Sequence, residues 1–147
     1  MAPSLRLIAA EVVRRAALRP GEGVLDIGTG TGVGAAAALG EGRSVVGVDA
    51  APGMLAIARR EVPAADFVEA DFGALPFPGS SFDVVMAVHA LHFADDPVAA
   101  LAEWWRVVPL AAACRSRCQV PEGPSTTQSF TPSTGATGWS GESGFRP

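Results

Sequence analysis

Three residue types are missing from this chain of 147 residues: lysine, asparagine and tyrosine. All eleven Lys-or-Arg positions are therefore arginine. The three missing types are encoded by AT-rich codons, so a GC-rich gene is the simplest explanation. Positive charge is also in short supply, because the formal net charge is −4. That balance argues against nucleic acid as an electrostatic partner.

Cysteines and long apolar runs are scarce as well. Cys114 and Cys118 are the two cysteines, which is too few for a disulfide framework. Their spacing resembles half of a metal site, but no histidine or further cysteine accompanies it, so we interpret the pair as accidental. The chain has no apolar run of about 18 residues and no secretion-signal pattern at its start, which predicts no membrane span and a cytoplasmic location. Its length predicts one domain with a real core.

The most informative stretch is V-L-D-I-G-T-G-T-G-V-G, residues 24–34, in which an apolar strand leads into glycines at alternate positions. Such glycines allow a tight turn and let backbone N–H groups approach a ligand. The spacing also satisfies the looser dinucleotide fingerprint, G-x-G-x-x-G/A, so NAD stays open. The difference is Asp26, which lies two residues before the first glycine. A carboxylate there would repel a pyrophosphate and suits a positively charged ligand.

Two further acids follow predicted strands. Asp49 ends the apolar run 44–48, 21 positions after Gly28; an acid there can accept hydrogen bonds from both hydroxyls of a ribose. It is also compatible with a turn before Pro52. Asp71 ends the run 65–70 and is followed by Phe72. Taken alone, Asp71 is explained equally well by a surface turn.

The second half of the patterned region contains L-P-F-P-x-x-S-F-D-V-V, residues 75–85, which leads into a strand predicted over 82–88. A helix is then expected to begin with Asp96 as its cap and Pro97 as its first residue. An apolar stripe along that helix predicts packing against the sheet. The stripe comprises Val98, Leu101, Trp105 and Val108. Glu103 and Arg106 lie outside it.

These motifs together resemble the class I S-adenosylmethionine-dependent methyltransferases, whose first motif D-x-G-x-G-x-G matches residues 26–32. The string at 75–85 is similar to the small-molecule branch that includes the ubiquinone and menaquinone methyltransferases. The resemblance covers about residues 20–108. It implies a Rossmann-like α/β fold with a doubly wound sheet, S-adenosyl-L-methionine as the cofactor, a small-molecule methyl acceptor and no metal.

The resemblance also implies which residues surround the cofactor. Asp26 and the loop would hold its amino-acid end, Asp49 its ribose, and Asp71 with Phe72 its adenine. The complete set is Asp26, Gly28, Thr29, Gly30, Thr31, Gly32, Asp49, Ala50, Met54, Asp71, Phe72 and Val88. As a bare sequence feature, Met54 fits an ordinary core position equally well.

Two histidines follow the predicted fourth strand, at the expected mouth of the site. His89 or His92 could act as a general base, because an imidazole titrates near neutral pH. A packing or loop role is the alternative for each, and no catalytic residue is predicted. The sequence does not predict an oligomeric state.

The resemblance stops near Pro109, which divides the chain into a cofactor-binding portion, 1–109, and a tail, 110–147. Residues 121–147 contain no Leu, Ile, Val or Met, and 19 of these 27 residues are Gly, Pro, Ser or Thr. Such a composition predicts disorder. The family sheet has the strand order 3-2-1-4-5-7-6. We therefore expect a partial sheet with strands 3-2-1-4, in which strands 5–7 are lost and strand four is an exposed edge.

Four functions remain open at this point. The first is methyl transfer from S-adenosylmethionine to a small molecule. The second is a cofactor-binding remnant without catalytic activity. An NAD-dependent oxidoreductase is disfavoured by Asp26 and by the absence of a Tyr-x-x-x-Lys pair. The last is a pseudogene product that does not fold.

A frameshift near codon 109 would explain why the family phrase Pro-Gly-Gly-Arg-Leu is missing after Val108. Written with GC-rich codons, residues 109–114 become CCC CTG GCG GCC GCC TGC. Read from the third base, the same nucleotides encode Pro-Gly-Gly-Arg-Leu. We expect the sequenced locus to use codons that preserve this second frame. Codons that cannot spell the phrase in another frame would contradict the hypothesis.

Overall fold

The computed structural model describes residues 3–40 and 42–109. They belong to the first of two compact units of the chain, Met1–Arg117. The predicted tail 110–147, the cysteine pair, the frameshift and the fate of strands 5–7 therefore lie outside the described residues, and the boundary at 109 stays a prediction.

Helices and strands alternate along the described chain, as expected for an α/β fold. The elements in order are α1 (Pro3–Ala16), β1 (Gly23–Ile27), α2 (Val33–Ala38), β2 (Ser44–Asp49), α3 (Pro52–Glu61), β3 (Asp66–Glu69), β4 (Val84–Ala87), a 3-10 turn (Leu91–Phe93) and α4 (Pro97–Arg106). Within this part of the chain, every helix is too short or too polar to cross a membrane.

The four strands form one parallel sheet in the order β3-β2-β1-β4. This confirms the predicted Rossmann-like arrangement. The strand order reverses between β1 and β4, and in open parallel sheets a ligand binds where the order reverses, at the carboxyl ends of the strands. As predicted, β4 is an edge of the described sheet.

Helices cover both faces of the sheet. Neighbouring strand residues point to opposite faces, so each strand contributes side chains to a core on either side. In β1, Val24 joins a core cluster with Ala35 of α2 and Leu55 of α3. Leu25 and Ile27 join a second cluster on the other face, which includes residues of α4. The strand is thereby buried on both faces, as is usual for parallel sheets.

The packing of α4 differs from the prediction. Its buried residues are Ala100 and Trp104, and Val107 follows just beyond the end of the helix. Of the predicted stripe, Val108 is buried, but three members are exposed: Val98 (77%), Leu101 (39%) and Trp105 (49%). Apolar residues occur on nearly every side of this helix, so their spacing could not indicate which side faces the sheet.

Asp83, from the string at 75–85, aligns the edge strand with the centre of the sheet. Its backbone N–H donates to the carbonyl of Gly23 at 2.9 Å. Its Oδ2 accepts from the N–H of Gly23 at 2.8 Å. This double contact fixes β4 beside the first residue of β1.

The helix that follows the glycine loop lies very close to β1. A Cβ added to Gly34 would lie 2.6 Å from Oδ2 of Asp26 and 2.7 Å from its Oδ1. No side chain fits in that space, so α2 can pack at this distance only with glycine. By contrast, a Cβ on Gly53 of α3 would meet no atom within 4 Å.

We expect Gly34→Ala to lower the free energy of unfolding by about 1–3 kcal/mol, the usual range for forcing an extra methyl group into a packed interior. Gly53→Ala is the matched control, because it adds the same methyl group to a helix in open space. It should leave stability unchanged or raise it by up to about 1 kcal/mol, since alanine is the better helix former. Urea denaturation of both variants measures the difference. Equal stabilities would contradict the close packing of α2 on Asp26.

Candidate functional site

Apart from Met54 of α3, the predicted site residues lie at or just beyond the carboxyl ends of the strands, which share one edge of the sheet because the strands are parallel. The loop between β1 and α2 lies at the centre of this edge. The tip of β2 lies on one side, with β3 beyond it, and the tip of β4 lies on the other.

The glycine loop turns back on itself directly after β1. The φ angles of Gly28, Gly30 and Gly32 are 66°, 54° and 85°, a backbone region that residues other than glycine rarely adopt. The N–H of Thr29 donates to the carbonyl of Val48 at 2.9 Å, and that of Gly32 to the carbonyl of Thr29 at 2.8 Å. The loop is therefore attached to β2 and closed by its own turn.

The loop glycines serve different purposes. A Cβ on Gly28 would collide with the Cβ of Ala90 and lie 3.5 Å from the ring of Phe72. A Cβ on Gly32 would lie 3.0 Å from Val62. At Gly30, by contrast, no atom lies within 4 Å of the Cβ position. Open space suitable for a ligand is thus found at Gly30, whereas the other two glycines allow close packing.

Asp49 connects the tip of β2 to this open part of the loop. Its Oδ2 accepts from the N–H of Gly30 at 2.9 Å. Its Oδ1 accepts from the N–H of Ala51 at 2.9 Å. Each carboxylate oxygen has a second acceptor position, so the half-buried group can still bind two hydroxyls. The backbone contacts hold it in one orientation before any ligand arrives.

Asp26 lies beneath the loop and is 1% exposed. The hydroxyl of Thr29 donates to its Oδ2 at 2.7 Å, and the N–H of Ala35 forms another hydrogen bond to the carboxyl group. Its oxygens also fill the space over Gly34. Asp26 therefore supports the loop from inside.

Burial raises the pKa of Asp26 from its ordinary 3.8 to about 7, and the negative charge of Asp49 adds to this rise. The hydrogen bonds from Thr29 and Ala35 act in the opposite direction. Removing a carboxylate from water disfavours its charged form. A substantial fraction of Asp26 is consequently protonated near neutral pH.

Asp71 and Phe72 follow the end of β3, in contact with different neighbours. The carboxylate of Asp71 is exposed, and its Oδ1 accepts from the N–H of Gly73 at 2.6 Å. Phe72 is half-buried and packs against the second core cluster, with its ring close to Gly28. The structure thus brings Phe72 to the glycine loop and leaves the Asp71 carboxylate beside it, accessible to solvent.

The remaining predicted residues are spread around this edge. Ala50 and Met54 are exposed, and Val88 is half-buried against the first core cluster. Thr31 lines a cleft of about 340 Å³ beside α2, together with Arg6 of α1 and Glu61 of α3. That cleft shares Thr31 and Gly32 with the loop but includes neither Asp49 nor Phe72.

The histidines lie just after β4. His89 has a φ of 59°, which is unusual for a residue with a side chain and costs energy. This conformation precedes Ala90, which packs on Gly28. The ring of His92 lies 6.3 Å from that of His89 and 3.9 Å from that of Phe93, between centroids. Both histidines are exposed, so their rings are accessible to solvent.

Two residues of the site were missed at the level of sequence. Ala90 covers Gly28, and Trp104 donates its indole N–H to the carbonyl of Phe72 at 3.0 Å. An alanine after a strand carries no distinctive signal, and a contact spanning 32 positions follows no helical or strand period. No cluster of three or more potential metal ligands occurs among the described residues.

The raised pKa of Asp26 generates a pH prediction. Folding favours its neutral form, so its stabilising contribution is complete below pH 3.8 and is lost as the pH rises to about 7. We expect the free energy of unfolding to fall across this range and Asp26→Asn to flatten the slope. Urea denaturation at pH 5, 6, 7 and 8 measures this pH dependence of the free energy of unfolding. Glu69→Gln, which removes the charge of an exposed carboxylate, is the control. A slope that persists in Asp26→Asn would contradict the assignment.

Known proteins with related sequences share this region. The family model described as a methyltransferase domain matches residues 25–109. A demethylmenaquinone methyltransferase from Renibacterium salmoninarum is 40% identical over 96 residues, which cover 65% of this chain and 40% of that protein. A malonyl-[acyl-carrier protein] O-methyltransferase from Serratia marcescens is 34% identical over 88 residues, covering 60% of this chain and 34% of that protein. The chain thus spans less than half the length of these relatives.

Solved structures show the same similarity. A SAM-dependent methyltransferase from Aquifex aeolicus superposes with a TM-score of 0.65 at 25% identity, covering 73% of this chain and 62% of that one. Its similarity agrees with the parallel sheet and with the matched domain. The chain therefore belongs to the methyltransferase domain family, within the class I S-adenosylmethionine-dependent methyltransferases.

Proposed function

We propose that the strand-tip edge binds S-adenosyl-L-methionine and that the chain acts in methyl transfer to a small molecule. The observation that carries the proposal is the Asp49 carboxylate, which the N–H groups of Gly30 and Ala51 hold beside the open part of the glycine loop. An oriented acceptor next to bare backbone is suited to the ribose of an adenosine.

The other predicted residues would complete the binding site from three sides. Phe72 would form an apolar wall for the adenine, and Asp71 would accept a hydrogen bond from its amino group. Thr29, Gly30 and Thr31 would present backbone groups to the amino-acid end. Because Asp26 is buried and bonded to Thr29, we infer that it acts by holding this loop in shape. Ala50, Met54 and Val88 would lie at the periphery of the cofactor.

The chemistry would depend mainly on placement. When bound, the cofactor supplies an activated methyl group on a sulfonium. The residues of this chain would hold that group in line with the acceptor atom, and correct orientation alone accounts for a large share of rate enhancement in such reactions. His89 and His92 lie at the same edge and would accept a proton if the acceptor must lose one.

An apolar acceptor with an aromatic ring would suit the 3-10 turn that follows β4. Phe93 is 73% exposed there, directly beside the ring of His92, and would offer a surface on which a flat ring can stack. The quinone acceptor in the name of the Renibacterium relative has this character, whereas the Serratia relative is named for an acyl-carrier substrate. We therefore propose a quinol-like ring as the acceptor class.

The binding proposal is tested by titrating purified protein with S-adenosylhomocysteine while following its melting temperature. A ligand that binds only the folded state raises the melting temperature, and the rise grows with the logarithm of the ligand concentration relative to its dissociation constant. We expect Asp49→Asn to weaken binding by about tenfold or more, because hydrogen bonds to a charged acceptor contribute roughly 1.5–3 kcal/mol each. Asp66→Asn is the control, since it makes the same change at the opposite end of the sheet.

A wild-type protein that S-adenosylhomocysteine does not stabilise would contradict the proposed site.

A second candidate function, a cofactor-binding remnant without turnover, is motivated by the small share of the relatives' length that the chain spans. Methyl transfer from labelled S-adenosylmethionine to a soluble naphthoquinol distinguishes the two. Turnover supports the enzyme, and binding without turnover supports the remnant.

A further inference from the structure

The connection between β3 and β4, residues 70–83, contains no helix and crosses the sheet face beside α4. Phe72 at its beginning belongs to the proposed adenine site. A loop of this length without secondary structure needs external contacts to adopt one conformation. Three side chains of α4 supply such contacts here, Glu103, Trp104 and Arg106.

Glu103 and Arg106 form one anchor for the loop. Oε1 of Glu103 accepts from the N–H of Leu75 at 2.8 Å. The guanidinium of Arg106 donates to the carbonyl of Leu75 at 3.1 Å and to that of Phe77 at 2.8 Å. The two side chains also bind each other, with 2.7 Å between Nε and Oε2. The pairing lowers the pKa of Glu103, which keeps the anchor charged.

Trp104 forms the second anchor, closer to the site. Its side chain is 8% exposed and belongs to the second core cluster. A buried indole N–H requires an acceptor, and here the acceptor is the carbonyl of Phe72 at 3.0 Å. Because the indole is fixed by the core, the position of the Phe72 backbone is fixed with it.

Phe72 transmits this position to the glycine loop. Its ring lies 3.5 Å from the Cβ position of Gly28. The preceding residue, Asp71, holds its own turn through Gly73. The indole of Trp104 therefore fixes the backbone carbonyl of the residue whose ring touches the glycine loop, one position after the residue whose carboxylate faces solvent.

We propose that Trp104 is a positioning residue for the adenine end of the cofactor, acting through the carbonyl of Phe72, with Glu103 and Arg106 holding Leu75 as a second anchor. The inference rests on the proposed function, because it assumes that adenine binds at Asp71 and Phe72. It adds that helix α4, which holds the connection 70–83, determines how well the site distinguishes adenine from other bases.

Adenine selectivity gives a measurement that simple destabilisation would not change. S-inosylhomocysteine carries a carbonyl group where S-adenosylhomocysteine carries the adenine amino group. The Asp71 carboxylate would accept from the amino group and repel the carbonyl. The ratio of the two dissociation constants therefore reports on the placement of Asp71. A variant that is only less stable binds both ligands through the same folded fraction, so its ratio is unchanged.

The test compares Trp104→Phe with Trp105→Phe by calorimetric titration of both ligands. Phenylalanine keeps most of the apolar contact but has no N–H group, and Trp105 is a neighbouring tryptophan that is 49% exposed. We expect Trp104→Phe to reduce the preference for S-adenosylhomocysteine about fivefold, the equivalent of roughly one neutral hydrogen bond. Trp105→Phe should retain the wild-type preference.

A wild-type preference in folded Trp104→Phe would overturn the positioning role and leave the proposed function intact. If Trp104→Phe does not fold, Glu103→Gln decides: it keeps an acceptor for Leu75 but weakens the pair with Arg106. A reduced preference in that variant supports the proposal, and an unchanged one overturns it. Wild-type protein that fails to bind S-adenosylhomocysteine would overturn both proposals. Wild-type protein that binds both ligands equally would overturn this proposal and the placing of the adenine amino group at Asp71, and would leave cofactor binding at the strand-tip edge intact.

Discussion

The burial of one carboxyl group under the glycine loop is the constraint on which the rest of the site depends. Asp26 is placed at the end of the central strand, on the face covered by α2, and its oxygens occupy the space over Gly34. The hydroxyl of Thr29 and the N–H of Ala35 bind it from the loop and from the helix. The strand, the loop and the helix are thereby fixed to one another around a single polar group in an apolar interior.

That arrangement has an energetic cost, which is visible in the raised pKa of Asp26. Desolvating a carboxyl group is unfavourable, and the neighbouring charge of Asp49 adds to the cost. What the fold gains is a loop whose backbone is already shaped when a ligand arrives, with Asp49 held against it by the N–H of Gly30. Preorganisation of this kind reduces the entropy lost on binding.

Much of the fold could be predicted from the sequence because its signals are local. Apolar runs of four to six residues, ended by Asp49 or bounded by Gly23, indicate buried strands, and parallel order follows from their alternation with helices. The orientation of α4 could not be predicted in this way. Val98, Leu101 and Trp105 make as good an apolar stripe as Ala100, Trp104 and Val107. The packing of the second set against the sheet and the loop 70–83, which only the tertiary structure provides, selects between them.

The sequence by itself determined the positions of the acids at 26, 49 and 71, because glycine spacing and strand-ending carboxylates are properties of consecutive residues. The strand order was implied by the resemblance to the methyltransferase family that these motifs carry. The tertiary structure decided the burial of each carboxylate and the hydrogen-bond partners of its oxygens. Asp26 is buried and bound to Thr29, Asp49 is held by Gly30, and Asp71 stays exposed. These differences arise from neighbours that are distant in the chain, such as Trp104 beside Phe72, which no local pattern encodes.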